Sequence, residues 1–232
     1  MRIRKAAAWG VHLYTASGLV LALVQIWALT RADAPLFFTM NWIACVIDAT
    51  DGTLARRLEV KKVVPEFDGR RLDDIVDYLT FVFLPALALP AFGLLDGAWM
   101  WAAALPVLSS AYGFCQDRAK TDDAFVGFPS YWNILALYLY VLHPTPLVST
   151  AVLAVLALLV FVPIHYLYPS RTRLLMPVTV ALGVIWAAAM LAVGLAPNAE
   201  WAKLLTLASL YYPAYYLVLS LVHDRRVRRA TG

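Results

Sequence analysis

Long apolar stretches recur along almost the whole chain, and a fold must provide a solvent other than water for each of them. Eight can be drawn, at residues 6–29, 35–54, 72–91, 98–114, 131–143, 146–168, 174–195 and 201–222. An α-helix needs about 20 apolar residues to cross roughly 30 Å of hydrocarbon, and most of these stretches come close to that length. Inside lipid every backbone N–H and C=O must find its partner within the protein, which favours helices over open strands. The pattern predicts an all-α, polytopic membrane helix bundle with about eight transmembrane helices, residues 1–232 forming a single domain. The fifth stretch is the shortest and predicts a span with little tilt or a partly re-entrant segment. A composition of 62% hydrophobic and 15% charged residues agrees with lipid as the solvent.

Orientation follows from the basic residues, which are retained on the cytoplasmic side of bacterial membranes. All of the 19 Lys and Arg except Arg31 and Lys203 fall at the termini or in alternate connections, including Arg118, Arg171 and Arg173. Both termini and the second connection are therefore expected in the cytoplasm. The same count assigns the net charge of +4 to the membrane surface and excludes nucleic-acid binding, which needs a solvated basic face. The N-terminal Met-Arg-Ile-Arg-Lys begins like a signal peptide, but the apolar stretch runs on without an evident cleavage site and reads as an uncleaved first helix. Cys45 and Cys115 lie in apolar surroundings and read as free thiols.

Against this background the acids of the second and third stretches stand out, because carboxylates near membrane depth are costly. Asp48 and Asp51 are three residues apart, with Ala55 four later, so the three share one helix face. Gly52 and Arg56 form the adjoining stripe. Asp73 and Asp77 are four apart at the start of the next stretch, one turn after Gly69. Two helices joined by a short cytoplasmic connection can thus face each other with two carboxylates each. Four carboxylates so close would raise one another's pKa values unless a cation neutralised them. An all-oxygen set suits Mn²⁺ or Mg²⁺, and two such ions are a recurrent device in phosphoryl chemistry. The small residues leave space that a nucleotide can fill, and Arg56 can clamp phosphate. Asp74, Glu59, Glu66 and Asp68 are expected on other faces or in the loop, solvated. The four histidines have no ligand spacing.

The series Asp48-Ala-Thr-Asp51-Gly52-Thr-Leu-Ala55-Arg56, followed by Gly69-x3-Asp73-x3-Asp77, resembles the signature of the CDP-alcohol phosphatidyltransferases at all eight defining positions. The interval from Arg56 to Gly69 is twelve residues, where most of that family has eight. The longer interval, Gly127-Phe-Pro-Ser-Tyr-Trp-Asn133 and Tyr168-Pro-Ser-Arg-Thr-Arg173 are similar to the bacterial branch that uses choline. The resemblance implies transfer of the phosphatidyl group of CDP-diacylglycerol to choline with release of CMP, in the bacterial inner membrane. It implies two Mn²⁺ or Mg²⁺ ions on Asp48, Asp51, Asp73 and Asp77, with Asp77 also the general base. Gly52, Ala55, Arg56 and Gly69 would line the CMP moiety, and a homodimer is expected.

A quaternary ammonium is recognised by aromatic faces, so Tyr131 and Trp132 are the first choline candidates, with Tyr112, Tyr166 and Tyr168 behind them. An interfacial aromatic belt would use the same residues. Arg171 and Arg173 flank a Pro-Ser turn and are candidate phosphate ligands. Pro85 and Pro90 are expected to kink the third helix. Two rivals remain on sequence alone: a different acceptor such as serine, glycerol phosphate or inositol phosphate, and a secondary transporter, whose intramembrane acids mark ion pathways.

Overall fold

Two long helices open the chain and set the frame for the site. The computed structural model describes residues 2–116, 121, 124–169 and 171–231. Helix α1 (Arg2–Thr30) turns at once into α2 (Ala34–Arg57), and the two pack along each other. Asp33 starts α2 by accepting the Leu36 N–H at 3.0 Å, and Pro35 occupies the first turn, where a missing N–H is harmless. After the short α3 (Val60–Val63), Asp68 caps α4 (Gly69–Asp77) through the Arg71 N–H. Arg4 pairs with Glu59 at 3.1 Å, so the N-terminus and the α2–α4 connection lie at the same end of the bundle. The positive-inside count predicted that arrangement.

The chain remains helical from Gly69 to Ala91 but changes pitch on the way. α4 ends at Asp77, residues 78–83 are π-helical, and α5 (Leu84–Ala91) resumes the α form. A 3₁₀ segment at residues 97–103 leads into α6 (Ala104–Phe114). Then follow β1 (Ala124–Val126), α7 (Trp132–Leu142), α8 (Pro146–Val160), β2 (His165–Leu167), α9 (Met176–Leu195), α10 (Ala202–Ser209) and α11 (Tyr211–Thr231). Phe37, Phe38, Leu84, Leu95, Trp132, Leu153 and Met190 fill the central core. Leu13, Leu23, Leu158, Val184, Leu204 and Val218 point outward, as lipid-facing side chains must.

Three helical stretches are long and apolar enough to cross a membrane, Arg2–Thr30, Met176–Leu195 and Ala202–Arg229, and α7 and α8 are shorter apolar helices. Only 22% of the most apolar window of α9 is buried by protein, so lipid is the natural cover for the rest. All eight predicted stretches contain helix, and two need correction. The sixth was drawn to residue 168, but its helix stops at Val160, and His165–Leu167 form a strand instead. Pro163 cannot continue the helix, and β1 offers an antiparallel partner, pairing Phe125 with Tyr166. The eighth restarts at Tyr211, two residues ahead of Pro213, which fits in a first helical turn but not in a helix interior.

α11 holds the strand pair in place from outside. Ser220 Oγ accepts the Leu167 N–H at 3.1 Å, and Tyr216 donates its hydroxyl to Leu167 O at 2.9 Å. Beyond the apolar stretch, Asp224 accepts the His165 backbone N–H at 3.0 Å and Arg228 Nε–H at 2.7 Å, with His165 Nδ1 at 2.8 Å. Arg228 also donates to Pro163 O.

Candidate active site

Three of the four signature aspartates converge. One carboxylate oxygen from each of Asp48, Asp73 and Asp77 lies within 4.8 Å of the others. Asp48 comes from the C-terminal half of α2, and Asp73 and Asp77 from one face of α4, as the three- and four-residue spacings require. Three hard oxygen donors at this separation fit a divalent cation such as Mg²⁺ or Mn²⁺. Asp51 is not in that group. Its Oδ2 accepts a 2.7 Å hydrogen bond from Thr15 Oγ1 of α1, and both residues are buried. The four-acid set expected from the sequence is therefore a triad with the fourth carboxylate tied back to α1.

Asp48 and Asp77 open onto a cavity of about 680 Å³. One wall is α2, with Cys45, Asp48, Gly52 and Arg56, and the next is α4 and the π-helical turn, with Arg70, Asp74, Asp77 and Phe81. Opposite them stand Phe114 of α6 and the segment from Phe125 to Tyr131, closed by Tyr168 and Arg171. Gly127 has φ +85° and lies so close to α8 that a Cβ would stand 2.4 Å from Val160 O. Only glycine lets β1 turn here against the helix end. Phe125 and Tyr168, neighbours across the strand pair, place their ring centroids 4.7 Å apart, and the Arg171 guanidinium lies 4.6 Å from the Tyr168 centroid.

The chain is 42% identical to a phosphatidylcholine synthase of Pseudomonas aeruginosa, over 79% of this chain and 78% of that protein. It is 44% identical to a phosphatidylcholine synthase of Bradyrhizobium diazoefficiens over 79% of this chain and 69% of that one. With that of Borreliella burgdorferi it shares 34% identity over 77% of each. The chain belongs to the phosphatidylcholine synthase family. No protein-family model matches it. The resemblance to the CDP-alcohol phosphatidyltransferases read from the signature agrees with these relatives.

The other predicted residues divide. Gly52, Arg56, Tyr131 and Arg171 line the cavity with Asp48 and Asp77. Ala55 and Gly69 do not. Ala55 packs on the cluster of Ala8, Val11, Val60 and Val64, and Gly69 is backed by the His12 ring, which a Cβ would meet at 2.7 Å. Trp132 is 2% exposed, donates Nε1–H to Ser110 Oγ at 2.7 Å and meets Phe128 edge-on, which makes it a core residue rather than a cavity wall. Tyr166 is likewise buried, stacked on Tyr216, and Tyr112 packs on Phe161 away from the cavity lining. Arg173 is absent from the cavity lining among the described residues, and Arg118 lies outside the described residues. Asp74, expected to be merely solvated, stands at the cavity with Arg70 4.0 Å away.

Several participants were not singled out from the sequence. Phe125 and Phe128 sit in a connection with no helical period, and Thr15 lies in the first helix, to which the sequence assigns no site residue. Asn41 was visible in principle. Asn41, Cys45, Asp48 and Gly52 follow one another at four, three and four residues, a single stripe on α2.

Proposed function

We propose that this chain transfers the phosphatidyl group of CDP-diacylglycerol to choline and releases CMP. The observation that carries the reading is the meeting of the Asp48, Asp73 and Asp77 oxygens beside a single cavity that Asp48 and Asp77 line, with a wall of aromatic rings on its other side. Carboxylates suit the diphosphate end with its divalent cations, and rings suit a quaternary ammonium. Family membership supports the same reaction.

In this scheme Asp48, Asp73 and Asp77 hold the ions, with Asp51 joining them from its hydrogen bond to Thr15. Two Mn²⁺ or Mg²⁺ ions, when bound, would neutralise charge on the attacking and leaving oxygens. Arg56, beside Gly52, pairs with phosphate oxygens of the nucleotide, and Arg171 with those of the lipid. Ala55 and Gly69 support this subsite from behind by letting α1 approach. Tyr131, with Phe125, Phe128 and Tyr168, receives the trimethylammonium group and aligns choline's hydroxyl, which replaces an entropic search by a fixed line of attack. Choline's oxygen bonds to the phosphatidyl phosphorus, the P–O bond to CMP breaks, and the hydroxyl proton passes to an Asp77 oxygen. A metal-binding carboxylate is a weak base, so Asp77 acts chiefly by orienting the hydroxyl and accepting its proton late.

The eight apolar stretches and the sided basic residues support eight crossings of the bacterial inner membrane, with both termini and the site in the cytoplasm. A homodimer completes the proposal, by family resemblance. The test is a panel of acceptors, choline, serine, glycerol phosphate and inositol phosphate, given to purified protein with CDP-diacylglycerol and Mn²⁺. CMP release dependent on choline and lost in Asp73→Asn is the expected result. Release with another acceptor alone would reassign the substrate, and no release with any of them would overturn the enzyme reading in favour of transport.

A further inference from the structure

The helix that holds Asp73 and Asp77 changes pitch immediately after Asp77, and one carbonyl in the widened turn loses its helical donor. Leu84 N–H, which a regular α-helix would direct to Thr80 O, bonds to Leu79 O instead. The donor one residue further on would be position 85, and Pro85 has no N–H. Thr80 O is therefore left without a helical partner, in a residue that is fully buried. Such a group must be satisfied from elsewhere. Asn41 of α2 does it, its Nδ2 lying 3.0 Å from Thr80 O. The Thr80 hydroxyl itself donates back to Val76 O at 2.9 Å.

Asn41 is joined on its other side to the aromatic half of the cavity. Asn133, in the first turn of α7, donates Nδ2 to Asn41 Oδ1 at 3.3 Å and lies 3.2 Å from Cys45 Sγ. Asn133 and Cys45 both line the cavity with Asp48 and Asp77, while Asn41 sits behind them, 6% exposed. The amide thus stands on the same α2 stripe as Asp48 and touches the helix of Asp77 from behind. π-helical turns inside α-helices collect at functional sites because they rotate the side chains on one side of the turn relative to those on the other.

We propose that Asn41 is a positioning residue for Asp77. Its amide substitutes for the donor that Pro85 removes, holds the π-helical turn in a single phase, and through Asn133 ties that phase to the acceptor end of the cavity. The inference rests on Asp77 belonging to the ion-binding set proposed above. A polar amide that merely glued helices together would have no such link to the carboxylates.

The test uses Asn41→Leu, Pro85→Ala and the double variant, purified in detergent, with Mn²⁺ binding followed by electron paramagnetic resonance and choline-dependent CMP release beside it. Asn41→Leu should weaken Mn²⁺ binding roughly ten- to a hundredfold, the usual range for groups that orient metal ligands, and lower turnover with the KM for CDP-diacylglycerol unchanged. Pro85→Ala returns an N–H to position 85, so Mn²⁺ binding in the double variant should recover to that of Pro85→Ala alone. Wild-type Mn²⁺ binding by Asn41→Leu would overturn the proposal, and so would a double variant that stays as weak as Asn41→Leu. If Asn41→Leu does not accumulate as folded protein, the comparison of Pro85→Ala with the double variant decides. Wild-type protein that binds Mn²⁺ but releases no CMP with choline would fail the functional reading and leave the Mn²⁺ comparison as the test of Asn41.

Discussion

Removing the hydroxyl of Thr15 isolates the one signature carboxylate that stands apart from the other three. Thr15 and Asp51 are each only 6% exposed, and a 2.7 Å hydrogen bond links them across α1 and α2. Thr15→Val keeps the β-branched shape and the packing against α2, and deletes only the donor. A hydrogen bond to a charged group contributes about 1.5–3 kcal/mol, and a buried acceptor left unmatched loses that full amount. At 1.36 kcal/mol per factor of ten, the loss corresponds to roughly a ten- to 150-fold change in whatever equilibrium or rate depends on Asp51 being held. The assay is CMP release from CDP-diacylglycerol and choline, repeated across a Mn²⁺ titration. Thr15→Val should need more Mn²⁺ for half-maximal rate and reach a lower kcat, while Thr15→Ser, which restores the donor, should stay near wild type. A valine variant with wild-type kcat and wild-type metal requirement would refute the reasoning, because Asp51 would then work without its tether.

Asp77→Asn should abolish turnover yet leave CMP binding measurable by calorimetry, and an active Asn variant would remove Asp77 as proton acceptor. Tyr131→Ala should raise the KM for choline roughly two- to thirtyfold, the equivalent of a cation–π contact of about 0.5–2 kcal/mol, with the KM for CDP-diacylglycerol unmoved; equal changes in both would count against a choline face. Gly127→Ala forces a side chain into a backbone at φ +85° and against Val160 O, so thermal unfolding should show a loss of at least about 1–2 kcal/mol, and wild-type stability would mean that the strand pair moves freely. Asp224→Asn weakens the hydrogen bonds to His165 and Arg228, so thermal unfolding should show a less stable protein, and an unchanged midpoint would mean that α11 does not hold the strand pair.

The parts of this molecule that could be read from sequence are those governed by a short repeat. Helical period placed Asp73 and Asp77 on one face and aimed Asp48 at them, and the basic residues put Arg4 and Glu59 at one end, where they now pair. The parts that could not be read depend on partners far along the chain. Nothing local in His165–Leu167 marks a strand, since the N–H groups of Leu167 and His165 are taken by Ser220 and Asp224 of α11, 53 and 59 residues on. Tyr131 and Trp132 are both aromatic and share the Phe-Pro-Ser-Tyr-Trp-Asn segment, but successive residues at a helix start face different ways, and of the two only Tyr131 lines the cavity. Gly69 shows the same limit in a sharper form. Its small size was read as room for a nucleotide, whereas the room is used by His12, so the absence of a side chain there acts on the site at second hand, through the approach of α1. That approach also brings Thr15 to Asp51, and it makes the first helix a structural third wall of a signature whose residues all lie on the next two. A substitution that pushes α1 away, such as Gly69→Ala, should therefore disturb Asp51 before it disturbs Asp73 or Asp77, and the loss should appear in the metal requirement rather than in the KM for choline.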